Sequence, residues 1–364
     1  MNPLALVMLI FAVLGALDRI FGNRFGLGAE FERGFMLLGV MALSMIGMIV
    51  LAPALSLMLA PFFDWIYTAL GLDPSIIPAS LFANDMGGTA VGLAVMREPT
   101  LGYYNALIVS SMMGCTLSFT LPFALGVVEP RQHRDLLFGM LCGVATIPLG
   151  CLVGGLFTGV GILSLLYNLL PLILLAAVTV LGLILFPDAT VRIFRVLGWA
   201  MSAMITVGLV LGAVNFLAGQ TLIPNLAPIE EGGTVCLNAA ITLSGAFPLM
   251  YVVSKLLRRP LASFGKRLGI NDAAAAGFLS SIVSSTPTFG NMRFMDRRGV
   301  TLNAAFAVSG AFVFGGHLAF TLAYSAGCPF DAVIPMIVGK LLAGVAAVGL
   351  AVVLLKKRSS DKNP

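Results

Sequence analysis

The feature that most constrains the fold of this chain is a succession of apolar runs that continues from Pro3 almost to the C-terminus. Each run is about 20 residues long, which as an α-helix matches a hydrocarbon core of roughly 30 Å. Only 10% of the residues are charged, so the sequence predicts an all-α polytopic membrane protein without a water-soluble domain. We predict about nine transmembrane helices, at residues 3–21, 34–60, 103–127, 134–158, 162–186, 190–218, 233–257, 300–325 and 332–356.

Two further apolar stretches are interrupted midway and are not counted among these helices. Residues 74–97 contain the letters DMGG, and residues 273–294 contain SSTPTFG. Each half is too short to span a bilayer, so we predict two re-entrant helical hairpins, called the first and the second hairpin below. Non-helical backbone at membrane depth survives only inside protein or beside a wet cavity, so the two breaks indicate a functional site.

The order of elements is repeated along the chain. Two crossings, a hairpin and two more crossings make a first repeat at 1–160 and a second at 189–357, joined by a linking transmembrane helix at 161–188. The linking helix gives an odd number of crossings between the repeats, so the second repeat is expected to be inverted. Residues 358–364 form a cytoplasmic tail in this prediction. Inverted-topology repeats with broken helices are typical of secondary transporters.

The distribution of basic residues supports this topology. When the loops are assigned to alternating sides, 19 of the 21 lysines and arginines fall on one side, Arg97 falls on the other, and Lys340 lies within a crossing. Cytoplasmic loops are enriched in lysine and arginine, so we expect the N-terminus outside and the C-terminus in the cytoplasm. The two hairpins then enter from opposite sides, and their turns are expected to meet.

Several classes of function are disfavoured by the composition. The net charge of +5 is scattered over short loops, so we expect no nucleic-acid partner. Of five cysteines, four lie in apolar runs without CxxC spacing, and we expect no metal and no cofactor. A nucleotide-binding loop and a GxSxG elbow at Ser244 or Ser309 are absent. An intramembrane enzyme is therefore the weaker alternative, as is a membrane sensor or assembly subunit.

Asp85 is the main candidate for a binding residue. An ionised carboxylate at membrane depth is costly unless it is paired or hydrated, and its natural partner is a cation. Gly87 and Gly88 allow a tight turn that exposes backbone groups to a small ligand, and Asn84 lies beside them. The alternative is a glycine-rich packing surface on which Asp85 is hydrogen-bonded locally.

The second hairpin offers neutral hydroxyl groups. Ser284, Ser285 and Thr286 precede Pro287, which removes a backbone donor and breaks the helix, and Thr288 follows it. These hydroxyls could bind an uncharged polar group of a ligand. Alternatively, they only satisfy carbonyl groups freed by the proline.

Three more side chains complete the predicted site. Lys340 could neutralise Asp85 until an incoming cation displaces it, or could extend outward to the lipid headgroups. His317 could relay protons or donate to a ligand hydroxyl, or could be a core histidine with a satisfied hydrogen bond. Phe119 could form a wall of the site and present its ring face to an ammonium group, as could Phe312 and Phe314.

At these residues the sequence resembles the ethanolamine permease (EutH) family of bacterial ethanolamine-utilisation systems, over nearly the whole chain. The matching blocks are NDMGG, SSMMGCTLSFTLPFALGVVEP, PTFGNMRFMDRRG, NAAFAVSGAFVFGGHLAF and PMIVGKLLAGVAAVGLA. The chain departs from the family pattern at Gly316, where the pattern has aspartate, and at Ser284 and Ser285, where it has asparagines.

The resemblance implies a transporter that imports ethanolamine, or a related small amine, through the lipid bilayer of the bacterial cytoplasmic membrane. Ethanolamine bears one ammonium and one hydroxyl group. Asp85 would bind the ammonium group, and the serine and threonine turn, with His317, would bind the hydroxyl group. We expect alternating access as the mechanism and a homo-oligomer as the assembly, whereas proton coupling stays open.

Overall fold

The computed structural model describes residues 3–360 and consists of helices joined by short turns, without a β-strand in that range. The prediction of an all-α polytopic membrane protein is confirmed. The helices are α1 (Pro3–Ile20), α2 (Leu27–Met36), α3 (Leu38–Met58), α4 (Ala60–Leu70), α5 (Ile76–Leu81), α6 (Gly88–Val95), α7 (Pro99–Tyr104), α8 (Leu121–Val127), α9 (His133–Gly155), α10 (Ile162–Asn168), α11 (Leu170–Leu185), α12 (Pro187–Ala218), α13 (Ile229–Leu268), α14 (Asp272–Val283), α15 (Ser285–Gly290), α16 (Arg297–Gly310), α17 (Gly316–Ala323) and α18 (Val333–Ser360).

Seven helical segments of the described chain are long and apolar enough to cross a membrane. They are Pro3–Ile20, Leu27–Met58, Pro99–Val127, Pro130–Gly155, Pro187–Ala218, Ile229–Leu257 and Val333–Lys357. Each overlaps one of the predicted crossings. An eighth candidate is the pair α10 and α11, which is bent by 47° and corresponds to the predicted crossing 162–186.

The predicted continuous crossing 300–325 is wrong, because the structure divides it into α16 and α17. Residues 311–315, called the connector below, leave the helical path, and Phe312 has a φ of 61°. The backbone amide of Phe312 donates to the Ser281 carbonyl, and that of Phe314 donates to the Ile282 carbonyl. Both hydrogen bonds are 2.9 Å long. Bonds to the end of α14 thus replace the hydrogen bonds that would have continued α16.

The predicted break in the first hairpin is present. After α5 the chain forms one turn of 3₁₀-helix, Asn84–Met86, and α6 begins at Gly88. Gly87 has a φ of 107°, which favours glycine, and a Cβ at Gly88 would lie 2.3 Å from the Phe82 carbonyl oxygen. The glycine pair therefore serves both the turn and the close packing around it, and the turn leaves Asp85 in the interior of the bundle.

The second hairpin breaks at Ser284, between α14 and α15. Ser284 is extended, with φ −158° and ψ 131°, and its side-chain oxygen accepts a hydrogen bond from the amide of Thr286 at 3.4 Å. Pro287 then lies in the first turn of α15, where a missing backbone donor has little cost. The break thus falls three residues before the proline.

Backbone contacts between glycine-containing helices hold the bundle together. A Cβ at Gly47 of α3 would lie 1.7 Å from the carbonyl oxygen of Ile205 in α12. Small residues permit such close approach of membrane helices, whose association gains little from the hydrophobic effect within lipid. Large apolar side chains of α11 and α12, including Leu174 and Trp199, face outward, as expected for a surface in contact with lipid.

Candidate functional site

Asp85 lies deep inside the bundle, on the 3₁₀ turn between α5 and α6. Its residue surface is nevertheless partly exposed, whereas its neighbour Asn84 is fully buried. The turn packs directly against α17, and a Cβ added to Gly316 would lie 3.7 Å from Asp85 Oδ2. The Asp85 carboxylate therefore lies inside the bundle next to the start of α17.

One face of α17 carries polar side chains. The other faces pack into two apolar clusters, through Leu318 on one side and Phe320 on the other. The remaining face carries His317 and Thr321, which are four residues apart and therefore neighbours on the helix. Both residues are buried. Thr321 was not part of the predicted site, although its spacing from His317 would have indicated it.

Buried polar atoms without partners occur on both sides of this contact. In the described chain, Asn84 Nδ2, His317 Nδ1 and Thr321 Oγ1 have no hydrogen-bond partner. More than nine in ten buried polar groups are hydrogen-bonded in folded proteins. Asn84 lies on the Asp85 turn, and His317 and Thr321 lie on α17, the helix that packs against this turn, so these atoms are candidates for binding a small polar ligand. The alternative interpretation of His317, a core histidine whose hydrogen bonds are satisfied, does not hold for its Nδ1 atom.

Lys340 of α18 is buried, with 1% of its surface exposed. Its Nζ donates to the carbonyl oxygen of Ser111 at 2.6 Å, so it does not extend outward to the headgroups. Ser111 belongs to a π-helical segment, Asn105–Gly114, of the α7–α8 span. Lys340 and Asp85 interact electrostatically, but in the described structure they do not form a direct ion pair within 4.0 Å.

A row of aromatic rings connects the site to the second hairpin. The ring centroid of His317 is 5.1 Å from that of Phe312, which in turn is 5.7 Å from Phe119. Phe119 stacks on Phe123 at 5.1 Å, and Phe123 lies 6.3 Å from Phe289 of α15. Phe312 is therefore the ring in contact with His317, and Phe119 lies behind Phe312.

The four hydroxyl groups of the second hairpin have different environments. Ser284 caps α15 and is half-buried, Ser285 is buried with an unpartnered Oγ, and Thr286 is exposed. Thr288 accepts from the Ser281 hydroxyl at 2.9 Å and donates to the Gly277 carbonyl at 3.0 Å. The hydrogen bonds of the Thr288 hydroxyl therefore join α15 to α14 within the hairpin.

The connector contacts the end of α14, and the residue that follows it adjoins the Asp85 turn. On one side it is hydrogen-bonded to Ser281 and Ile282, and a Cβ at Gly315 would lie 2.0 Å from the Val283 carbonyl oxygen. On the other side, the next residue, Gly316, adjoins Asp85. The sequence analysis missed this element, because the apolar letters around it read as one crossing; the Gly315–Gly316 pair was the available signal.

Comparison with known proteins places these observations in a family. The fold defines a polytopic α-helical membrane protein, and its intramembrane polar site is typical of the transporter class. The model of the family described as "Ethanolamine utilisation protein, EutH" matches residues 2–354. The chain therefore belongs to this family.

Relatives with curated descriptions are similar over nearly their full lengths. A protein of Listeria monocytogenes named "Probable ethanolamine permease EutH" is 45% identical over 98% of this chain and 94% of its own length. An Escherichia coli protein with the same name is 38% identical, with 97% and 95% covered. "Uncharacterized protein YxeR" of Bacillus subtilis is 38% identical, with 99% and 96% covered. No solved structure matches the chain. These names support a transporter role.

Proposed function

We propose that this protein carries ethanolamine across the bacterial cytoplasmic membrane by alternating access, and that it is a carrier and not an enzyme. The observation that carries the proposal is the Asp85 carboxylate deep in the bundle, on a turn that packs against α17, where both elements carry buried polar atoms that lack partners in the described chain. The names of the relatives indicate ethanolamine as the amine, and the proposed site offers a partner for each of its two polar groups, the ammonium and the hydroxyl.

In this proposal the ammonium group of ethanolamine binds Asp85 and the hydroxyl group binds on the opposite side of the ligand. A charge-assisted bond to a carboxylate is about twice as strong as a neutral one, and a desolvated pair is screened little. His317 Nδ1 and Asn84 Nδ2 are the available partners for the hydroxyl group. The ring of Phe312, in contact with His317, limits the space for larger substituents on the amine.

Lys340 has a separate role in the proposed cycle. Its charge attracts Asp85 without a direct bond, since its ammonium group is fixed on the Ser111 carbonyl. In the unloaded carrier this interaction offsets the charge of Asp85, which lowers the cost of reorienting an intramembrane carboxylate. A bound ammonium group takes over that compensation during transport.

The predicted arrangement in the membrane follows from the charge asymmetry of the loops. The proposal keeps the N-terminus outside and the C-terminus in the cytoplasm, with two inverted repeats at 1–160 and 189–357. The connector and the two hairpin turns then lie near the bilayer midplane. Rocking of one repeat against the other would expose the Asp85 region to each side in turn.

Uptake of labelled ethanolamine into proteoliposomes tests this function. Vesicles with the wild-type protein should accumulate or equilibrate ethanolamine faster than protein-free vesicles, and unlabelled ethanolamine should compete. Asp85→Asn should abolish the difference, whereas Asp64→Asn, a change at an exposed surface ion pair, should retain it. Competition by choline, ethylamine and 2-aminopropanol would identify a related amine as the substrate if ethanolamine itself were carried poorly.

A further inference from the structure

A cavity in the described structure lies away from Asp85, between α2, α13 and α14. It has a volume of about 540 Å³. Its lining follows one face of α14 from end to end, with Asp272, Ala276, Ser280 and Val283 spaced by three or four residues. Because α14 has 12 residues, the cavity extends over about 18 Å along the helix.

The two ends of the cavity differ in surroundings. At one end, Asp272 begins α14, on the side that the charge distribution assigns to the cytoplasm. At the other end the lining includes Val283, Ser284 and Pro287, at the break of the second hairpin. The Val283 carbonyl is in backbone contact with the connector at Gly315. The inner end of the cavity is therefore separated from the Asp85 region by the connector.

The lining suits a small hydrophilic cation better than a lipid chain. Two carboxylates, Glu30 and Asp272, face the cavity together with the hydroxyl groups of Ser280 and Ser284. The basic group in the lining is Arg33, which pairs with Glu30 at 3.3 Å. Opposite charges lining a cleft raise the local concentration of a cation.

The connector meets α14 through two backbone hydrogen bonds, and its Ala311 and Val313 are packed in the apolar core. Its amides at Phe312 and Phe314 donate to two carbonyls in the last turn of α14, each over 2.9 Å. When the contact opens, both backbone hydrogen bonds can be exchanged for bonds to water. At Gly315 the contact is between backbone and backbone, because a Cβ there would lie 2.0 Å from the Val283 carbonyl oxygen.

We propose that this cavity is a cytoplasm-facing aqueous passage for the amine, and that the contact between the connector and α14 is the partition that opens to admit it. The proposal rests on the proposed function, since it assigns the route by which ethanolamine leaves the Asp85 site. The carboxylates at its rim attract the ammonium group, and the hydroxyl groups along α14 substitute for part of its hydration shell.

Cysteine accessibility tests the passage. In a Cys328→Ser background, in which the remaining native cysteines are buried, Ala276→Cys and Ser280→Cys are treated with a membrane-impermeant trimethylammonium methanethiosulfonate. Ser281→Cys, the adjacent buried position on α14, is the matched control. A reagent on the cytoplasmic side should label the two cavity positions at least about tenfold faster than the control, because thiol reactivity follows exposure.

Two outcomes would overturn the proposal. Labelling of Ser280→Cys only from the outside, or no faster than the control, contradicts a cytoplasmic aqueous passage. Ala276→Cys repeats the test at an exposed site, where the substitution should leave the fold intact. Labelled Ser280→Cys protein should also lose ethanolamine uptake at least about tenfold, and unchanged uptake contradicts the route. Failure of the unlabelled wild-type protein to carry ethanolamine would refute the proposed function instead, while the labelling still decides whether the cavity is aqueous.

Discussion

Replacing Gly316 with alanine should weaken ethanolamine binding without weakening the fold. A Cβ at this position has one neighbour within 4 Å, Asp85 Oδ2 at 3.7 Å, which is an ordinary contact distance. The methyl group therefore fits the protein. It occupies space beside the oxygen atom to which we assign the ammonium group. The change should therefore affect ligand binding without disturbing the packing of the protein.

The magnitude follows from the geometry. An ammonium nitrogen hydrogen-bonded to a carboxylate lies about 2.8 Å from the oxygen, so a methyl group in contact with Oδ2 competes for the same approach. Loss of one charge-assisted hydrogen bond costs about 1.5–3 kcal/mol, or roughly 10- to 150-fold in Kd. Alanine at the start of α17 should meanwhile stabilise the protein by up to about 1 kcal/mol, since it restricts the unfolded chain.

Isothermal titration of ethanolamine into purified protein, together with thermal unfolding, measures both effects. Gly315→Ala is the control, because its Cβ would lie 2.0 Å from the Val283 carbonyl oxygen and should lower the melting temperature. A folded Gly316→Ala protein with wild-type affinity would refute the assignment of the ammonium group to the Gly316 side of Asp85. A lowered melting temperature for Gly316→Ala would contradict the open geometry at that position.

Three further changes test other parts of the account. Lys340→Met should preserve exchange of labelled ethanolamine but slow net uptake about tenfold, because the unloaded carrier must then reorient with an uncompensated Asp85; equal losses in both assays would contradict this role. Thr321→Val should lower ethanolamine affinity by about 0.5–1.5 kcal/mol in titration without lowering the melting temperature, since the hydroxyl has no protein partner in the described chain; unchanged affinity would remove Thr321 from the site. Asp73→Asn should destabilise the protein by about 1.5–3 kcal/mol, because Asp73 accepts backbone hydrogen bonds at 2.8–3.0 Å; Asp64→Asn is the exposed control, and equal melting temperatures would contradict this anchoring.

The sequence carried enough information to predict the helical membrane fold and the break at Asp85. Apolar length predicts a membrane helix because the bilayer sets that length, and the glycine pair indicates the turn because other residues rarely adopt such a φ. The prediction of a break in the second hairpin had a similar local basis, since Pro287 cannot continue a helix interior, but it placed the break at the proline and the structure places it at Ser284. These signals depend on residues adjacent in the chain.

The features that the sequence did not reveal depend on distant contacts. The break in the predicted crossing 300–325 has no proline, and the connector is stabilised by carbonyls of α14. The Ser111 carbonyl that holds Lys340 comes from a residue 229 positions away, and backbone carbonyls carry no sequence signature. Thr321 was overlooked although its spacing from His317 was available in the sequence, because a single threonine in an apolar helix does not by itself indicate a binding site.

The most direct test of the central claim is a comparison of charged and neutral ligands binding to wild-type and Asp85→Asn proteins. Ethanolamine and ethylene glycol share a hydroxyl group and differ in whether the second group is charged. The account predicts that Asp85→Asn weakens ethanolamine binding by about 2–5 kcal/mol, as removal of one partner of a buried charge pair does, and leaves ethylene glycol binding unchanged. Wild-type affinity of the folded variant for ethanolamine would contradict the claim that Asp85 binds the ammonium group.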